Sequence, residues 1–318
     1  MIEYRSFHNA DPPQLVDLWH KSQLGRGAAS HFSLDAFEAM NFSQIAFDPH
    51  GLMVACDATK IVGFVHAGFG SNEEGSGLSY DSGTICALMV HPDYRRQGIG
   101  RRLVAQAEDY LRAAGAQTLY AGPVEPRDHY YVGLYGGSQP AGFLESDTAA
   151  APFFTNMGYE PAERHLVFQR DISRKSDPVN FRLLNVRRKM QLTVADQPQK
   201  GSWWWLTRYG RLDSLCFLLV PKGGGPAVAE ATVLGLDLYL EKWQERTAGI
   251  TQLYVPEPQR RKGYGQALLL EICRRLREEL VTRLEAHAPE NDVSAIAMIQ
   301  SAGFEQLDCG VVYRRTSE

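Results

Sequence analysis

One short sequence occurs twice in this chain, and the repeat limits the available folds more than any other feature. The two copies, VHPDYRRQGIG at residues 90–100 and VPEPQRRKGYG at residues 255–265, align without a gap at an offset of 165 positions. Each copy follows an apolar run that predicts a β-strand and precedes an amphipathic pattern that predicts an α-helix. The repeat therefore predicts two domains of the same α/β type that arose by duplication.

Both halves also end in the same way, with a short strand, a short helix, a glycine–aromatic pair and a final strand. The pairs Gly158-Tyr159 and Gly303-Phe304 are only 145 positions apart, so the first half holds 20 more residues than the second before this marker. We call residues 122–140 the inserted segment, and their Gly, Pro and Tyr content predicts a loop. A polar stretch closed by Pro178 predicts a boundary between domains at residues 1–172 and 178–318.

Hydrophobic periodicity predicts the remaining elements. In the first half the predicted strands are 2–7, 52–56, 61–67, 84–90 and 118–121, and the predicted helices are 12–24 and 34–40. In the second half the predicted strands are 189–194, 215–220, 227–234, 249–255 and 283–286. The run Trp203-Trp204-Trp205 predicts packing in a core or between the domains rather than stacking on a ligand.

Composition excludes several classes of protein. A chain of 318 residues with a formal net charge of −4 is not built mainly to bind nucleic acid or an anionic membrane. The five cysteines are scattered without metal-ligand spacing, which predicts reduced thiols and no metal site. The first residues lack a basic region followed by an apolar run, so we expect no signal peptide, and we expect a cytoplasmic protein.

The repeated loop has the chemistry of an anion site. Two glycines one residue apart, directly before a helix, let backbone N–H groups converge at the positive end of the helix dipole. Neighbouring arginines add charge-assisted bonds to phosphate oxygens, so a pyrophosphate is the expected occupant. No Lys-Ser or Lys-Thr follows the second glycine, which excludes a P-loop. Leu103 and Leu268 stand where a dinucleotide-binding fingerprint needs its third glycine.

The remaining pattern, Gln/Arg-x-x-Gly-x-Gly/Ala after a strand that ends in Val, resembles the GCN5-related N-acetyltransferase (GNAT) family. The resemblance implies an α/β fold of two tandem GNAT-like domains, each a mixed twisted β-sheet flanked by helices, and acetyl-CoA as cosubstrate. It assigns cofactor binding in the first half to Leu88, Val90, Arg95, Arg96, Gln97, Gly98, Ile99, Gly100 and Arg101. In the second half it assigns cofactor binding to Leu253, Val255, Arg260, Arg261, Lys262, Gly263, Tyr264, Gly265 and Gln266.

The resemblance also implies direct attack of a neutral amine on the thioester, with a tyrosine of the last helix as proton donor to the leaving thiolate. Phe154 and Ile299 occupy that position in the two halves, and neither can donate a proton. We therefore look for proton-transfer groups in and after the inserted segment. We predict Glu125, His129 and Tyr135 as catalytic residues and Tyr130, Tyr131 and Asp147 as substrate-binding residues.

These observations predict an acetyl-CoA-dependent N-acetyltransferase that acts on an amine of a small molecule, with the first half catalytic. Two alternatives stay open, a silent CoA-binding sensor or scaffold and an enzyme that acetylates a protein or peptide. The sequence predicts no nucleic-acid or membrane partner, and a homodimer stays open beside a monomer.

Overall fold

The computed structural model describes residues 1–30, 32–174, 176–196, 202–210 and 212–316. The strands are β1 (Ile2–Ser6), β2 (Leu52–Asp57), β3 (Lys60–Ser71), β4 (Leu78–Val90), β5 (Thr118–Ala121), β6 (Phe143–Leu144), β7 (Glu160–Asp171), β8 (Met190–Ala195), β9 (Ser214–Pro221), β10 (Ala229–Gly235), β11 (Thr247–Tyr254), β12 (Arg283–Pro289) and β13 (Glu305–Thr316). The helices are α1 (Pro12–Lys21), α2 (Leu34–Asn41), α3 (Ile99–Ala113), α4 (Ala150–Thr155), α5 (Phe181–Lys189), α6 (Trp203–Tyr209), α7 (Leu240–Trp243), α8 (Tyr264–Glu278) and α9 (Val293–Ser301).

The strands of the described residues join one continuous mixed sheet in the order β1-β2-β3-β4-β5-β13-β7-β12-β11-β10-β9-β8. The last strand of each half lies beside strands of the other half, because β13 pairs with β5 and β7 pairs with β12. Two domains were predicted, and the structure shows two halves that share one sheet through these exchanged strands. The boundary at residues 1–172 and 178–318 stays a prediction, and it does not describe the exchange.

Each half buries its helices on both faces of the sheet. Leu103, Val104 and Leu111 of α3 pack with Ile85 and Val65 on one face, which we call the α3 face. Leu15 and Trp19 of α1 pack on the other face, the α1 face, together with Leu234 and Tyr239 from the second half. A hydrophobic core on the α1 face therefore spans the junction between the two halves.

The inserted segment lies on the α1 face and is largely buried. It leaves the sheet at Gly122 and returns at Gly142, and these two glycines touch, since a Cβ on Gly122 would lie 3.0 Å from the Gly142 Cα. β6 then continues the line of β5 beside β13, with Phe143 opposite Val311. The predicted loop lacks regular secondary structure as expected, but it forms part of the core between the halves.

Candidate active site at two splayed strand pairs

The two copies of the repeated loop have the same backbone conformation. Arg96 and Gly98 have φ angles of 63° and 83°, and Arg261 and Gly263 have φ angles of 62° and 86°. The Arg95 Nε donates to the Val90 carbonyl at 3.0 Å, and the Arg260 Nε donates to the Val255 carbonyl at 3.1 Å. A left-handed residue before each helix turns the next N–H groups toward one point, which is the geometry of an anion cradle.

Each loop follows a strand that bulges and then separates from its parallel neighbour. The β3–β4 register shifts at Cys86, and the β10–β11 register shifts at Thr251, again 165 positions later. The pairing of β4 with β5 ends at Ile85, and the pairing of β11 with β12 ends at Gly249, so the later residues of β4 and β11 have no parallel neighbour on that side. We call the resulting gaps the first splay and the second splay.

Backbone groups of β4 face the first splay. The His91 N–H donates to the Val62 carbonyl of β3 at 2.8 Å. Because successive residues of a strand direct their backbone groups to opposite edges, Val90 and Leu88 direct theirs away from β3. The Val90 carbonyl already accepts from Arg95, and the N–H groups of Leu88 and Val90 and the Leu88 carbonyl can pair with an extended ligand in the splay.

The two loops differ in what covers them. A Cβ on Gly98 would meet nothing within 4 Å, so the first loop is open. A Cβ on Gly263 would lie 2.8 Å from the Cδ of Arg182, because the aliphatic part of this α5 side chain covers the second loop. The first cradle is therefore freely accessible, whereas α5 restricts access to the second.

The inserted segment places Tyr135 in the first splay. The Leu144 N–H donates to the Tyr135 hydroxyl at 3.1 Å. Glu145, the next residue, donates its N–H to Cys309 of β13, so the Leu144 N–H points to the opposite edge, which faces the splay. Burial, with a smaller effect of the Asp147 charge, raises the pKa of Tyr135. The phenol therefore keeps its proton at the gap between the strands and can donate a hydrogen bond there.

The same segment places Ser138 at the second splay. The Ser138 hydroxyl donates to the Ile250 carbonyl at 3.4 Å, and its N–H donates to Glu285 Oε1 at 3.1 Å. Glu285 also accepts from Gln169 at 2.9 Å and lies 3.0 Å from the His287 ring. Burial acts to raise the pKa of Glu285, but the His287 and Gln169 contacts outweigh it, so the pKa is lowered.

Comparison with known proteins identifies the family. The sequence profile of the Acetyltransferase (GNAT) family matches residues 14–143 and 190–304, which is more than half of the chain. The chain belongs to the GNAT family of acetyltransferases. Acetyl-CoA-dependent acetylation is the general activity of this family, and the fold class predicted from the repeated loop is confirmed.

Individual relatives agree with this assignment. The chain is 24% identical to a mycothiol acetyltransferase of Salinispora arenicola over 96% of this chain and 94% of the relative. It is 32% identical to a mycothiol acetyltransferase of Propionibacterium freudenreichii subsp. shermanii over 54% of this chain and 49% of the relative. A tandem GNAT protein from the clavulanic acid biosynthesis pathway has the same fold, with a TM-score of 0.68, 20% identity and coverage of 99% and 98%.

The loop residues that the sequence analysis assigned to the cofactor have the same backbone geometry in both halves. The open space above Gly98 and the left-handed residues before α3 fit the pyrophosphate of acetyl-CoA, and the Leu88 and Val90 N–H groups that face away from β3 fit its extended arm. In each half the last helix also closes the loop in the same way. Phe153 of α4 lies against Gly100, and Met298 of α9 lies against Gly265.

The aromatic substrate-binding candidates lie inside the core of the α1 face. The Tyr130 hydroxyl donates to the Ala46 carbonyl at 2.7 Å. The Tyr131 hydroxyl lies 3.0 Å from the ring of His66, and the Tyr131 ring stacks on Trp19. Direct contact of these phenols with a substrate stays a prediction, and the structure shows a packing role. Asp147 is half-buried after β6, and burial raises its pKa while Arg95 opposes the shift.

The structure changes the reasoning for His129. Burial, followed by the charge of Arg208, lowers the pKa of His129 to about 3, so the ring is neutral at physiological pH. The proton-shuttle role rested on an ordinary histidine pKa, and we do not retain it. Glu125 differs, because its side chain is 42% exposed and burial, aided by Asp128, raises its pKa against the effect of Arg208. It combines solvent access with a more basic carboxylate.

Phe154 and Ile299 lie where the sequence placed them, on α4 and α9. Phe154 stacks on Phe143 at 5.1 Å and on Tyr313 of the exchanged β13 at 5.6 Å, so it fills an aromatic core. Ile299 is buried in the core of the second half. The α4 helix thus brings no hydroxyl to the first splay, and a catalytic role for Tyr135 there stays a prediction.

Sequence reasoning missed three residues of the junction, Ser138, Arg208 and Glu285. Arg208 of α6 forms a buried ion pair with Asp128 and lies 3.4 Å from Glu125. The available signal was the position of Glu285, two residues beyond a predicted strand start, but no pattern connected it to the inserted segment.

No helix in the described ranges is long and apolar enough to cross a membrane. These ranges contain no group of three or more His, Cys, Asp or Glu suited to a metal ion.

Proposed function

We propose that this GNAT enzyme transfers an acetyl group from acetyl-CoA to an amine of a small molecule, with the first half as the catalytic half. The observation that carries the proposal is the Tyr135 hydroxyl in the first splay, next to an open loop. The second splay holds Ser138, and its loop is covered by Arg182.

Acetyl-CoA, when bound, supplies an acetyl group activated as a thioester. The N–H groups of the first loop and the N-terminus of α3 bind its pyrophosphate, with Arg95, Arg96 and Arg101 as the flanking cations. The backbone groups of Leu88 and Val90 hold its arm in the splay. Tyr135 donates a hydrogen bond at the splay, and its raised pKa makes it a donor that keeps its proton.

The amine must lose a proton before it attacks, because an alkylammonium has a pKa near that of lysine, about 10.4. We propose Glu125 as the group that accepts this proton, since its carboxylate is partly exposed and has a raised pKa. A small acceptor fits better than a peptide because α7 closes the loop between α1 and α2. Lys242 donates to the carbonyls of Leu24 and Ala28 at 2.9 and 3.0 Å. A cytoplasmic location belongs to the same proposal.

The test compares two substitutions with matched backbone strain. Gly98→Glu and Gly263→Glu both place a carboxylate at a left-handed position before a helix. We expect Gly98→Glu to abolish acetyl-CoA binding in calorimetry and acetyl transfer to a panel of amines followed by mass spectrometry. We expect Gly263→Glu to retain both. The opposite result would assign catalysis to the second half, and binding without transfer to any amine would favour a silent CoA-binding protein.

A further inference from the structure

Each half receives an arginine from the last strand of the other half. Arg315 of β13 and Arg170 of β7 are 145 positions apart, which is also the spacing of the two glycine–aromatic pairs. A Cβ on Gly158 would lie 4.0 Å from the Arg315 Nε, and a Cβ on Gly303 would lie 3.2 Å from the Arg170 Nε. Because β7 and β13 are exchanged, the two arginines occupy equivalent places beyond the C-termini of α4 and α9.

In the first half, Arg315 connects α4 to α3. Its Nη1 donates to the Met157 carbonyl, two residues beyond α4, at 3.0 Å and to Glu108 Oε1 of α3 at 3.0 Å. The Tyr159 hydroxyl donates to the same Glu108 oxygen at 3.0 Å. The carbonyl groups at the end of a helix have no partner within the helix, so an outside donor there fixes the position of the helix end. We call Arg315, Glu108 and Tyr159 the α4 latch.

The second half has the arginine with different partners. Cys273 of α8 stands 165 positions after Glu108, at the equivalent place, and Phe304 lacks the hydroxyl of its counterpart in the latch. Arg170 donates to Asp177 at 2.8 Å and lies 3.5 Å from the Cys273 thiol. Asp177 precedes α5, so Arg170 is held by the segment between the halves rather than by a carboxylate of α8. The described part of the second half thus has no counterpart of the α4 latch.

The latch fixes the helix that closes the first cofactor loop. A Cβ on Gly100, at the start of α3, would lie 3.3 Å from the ring of Phe153 of α4. Glu108 lies about two turns further along α3. α4 therefore meets α3 at two places, through Phe153 at the loop and through the latch. We propose that Arg315 is a positioning residue for the first half, because it holds Phe153 against the loop.

This inference rests on the proposed function and adds a residue of the second half to its reaction. The latch acts on the loop that we assign to the pyrophosphate, which is remote from the thioester. A looser loop would weaken the ground state and the transition state equally, so KM for acetyl-CoA should rise while kcat stays the same. A loss of stability alone would reduce the amount of active protein and leave KM unchanged. The comparison of KM with kcat therefore separates positioning from stability.

The experiment compares Arg315→Met with Arg170→Met, since methionine keeps an apolar chain and removes the charge and the donors. With the amine of the panel that the native chain acetylates fastest, we expect Arg315→Met to raise KM for acetyl-CoA about 3- to 10-fold and to leave kcat within about 2-fold. Arg315→Lys, which keeps a cation beside Glu108, should restore most of the native KM.

Arg170→Met is the matched control. The Arg170 side chain is 5% exposed and that of Arg315 is 35% exposed, so the control should lose more stability in urea unfolding. Asp177 keeps its ion pairs with Arg274 and Arg277, and no charge is left unpaired. The control should nevertheless leave KM and kcat unchanged, because the cofactor loop of the first half does not depend on α9.

Calorimetric binding of acetyl-CoA, without an amine, tests the latch separately from activity. The Kd should rise about 3- to 10-fold in Arg315→Met and stay at the native value in Arg170→Met. An unchanged Kd in Arg315→Met, or equal increases in both variants, would overturn the inference. A raised Kd in Arg315→Met alone, in a protein that transfers acetyl to no amine, would overturn only the proposed function. Should Arg315→Met fail to fold in circular dichroism, Glu108→Gln removes the charge on the other side of the latch and must meet the same expectations.

Discussion

The two splays are built on the same plan and are filled differently. Each follows a bulge, Cys86 or Thr251, and each ends in a loop with the same left-handed residues. The inserted segment crosses from one half to the other and leaves Tyr135 in the first splay and Ser138 at the second. Because the segment is present in one half only, it cannot contact both sites in the same way. The duplication thus preserved two cradles, and one insertion made them unequal.

The largest expected effect concerns the phenol in the first splay. Tyr135→Phe removes the hydroxyl that we propose as the hydrogen-bond donor in the first splay, so kcat should fall about 10²-fold. Affinity for acetyl-CoA should change little, because the loop and strand contacts remain. The measurement is steady-state transfer together with calorimetric binding.

Tyr239→Phe is the matched control for this substitution. The Tyr239 hydroxyl also accepts a buried backbone bond, from Gly137 at 3.1 Å, but it lies at the junction rather than in a splay. Tyr135→Phe loses the hydrogen bond from Leu144, and Tyr239→Phe loses two, from Gly137 and to the Gly27 carbonyl. The control should therefore lose at least as much stability, with about 1–3 kcal/mol expected for each lost bond. An equal loss of kcat in the two variants would show that Tyr135 acts through packing alone.

The repeated loop, the strand before it and the helix after it could be predicted from sequence because local patterns determine them. Gly98 and Gly263 mark left-handed turns, and the apolar spacing of α3 and α8 marks their buried faces. The exchange of β7 and β13 could not be predicted, because the two strands have similar patterns and either can pair with β5. Tertiary contacts decide whether a strand pairs within its own half or with the other half, and hydrophobic periodicity carries no information about this pairing.

Only part of the candidate site could be predicted from the sequence, because long-range contacts determine the rest of it. Tyr135 could be proposed from the sequence because the inserted segment holds several groups able to transfer a proton. The burial of His129 and its lowered pKa were missed, because a Gly- and Tyr-rich segment has the composition of a surface loop. Arg208 was missed because it is 80 positions from Asp128, and one sequence carries no signal for such a pair.

A second prediction concerns Glu285 of β12, which accepts a hydrogen bond from Ser138 of the inserted segment at the second splay. The pKa of Glu285 is lowered in the folded protein, so its ionised form contributes stability above the unfolded pKa near 4.5. That contribution is lost as pH falls through the lower folded pKa. We expect the free energy of unfolding of the native chain to fall with decreasing pH below about 4.5 and to fall less steeply in Glu285→Gln.

Urea unfolding at several pH values measures this difference. Glu290→Gln is the control, since its carboxylate is 51% exposed in an ion pair with Arg164 and should leave the slope close to that of the native chain. The comparison of the two splays predicts that Glu285→Gln leaves acetyl transfer nearly unchanged at pH 7.5. A loss of transfer comparable to that of Tyr135→Phe would mean that the second splay takes part in catalysis.

The smallest expected effect comes from uncovering the second loop. Arg182→Ala removes the side chain that lies over Gly263, while Ser138 still occupies the apex of the second splay. We expect one strong CoA site in the native chain and an additional weak site, with a Kd about 10²-fold higher or more, in Arg182→Ala. Isothermal titration with CoA measures both, and Arg187→Ala on the same helix is the control, because Arg187 pairs with Glu271 away from the loop.

The outcome separates two explanations for the shape that the second loop shares with the first. If Arg182 only covers the cradle, its removal adds weak binding and leaves transfer unchanged. If Arg182 instead binds a phosphate of a cofactor held in the second half, its removal weakens binding that the native chain already shows, and titration of the native chain reports two sites. The second result would make the halves equal in cofactor binding, and the difference between them would then lie only in Tyr135 and Ser138.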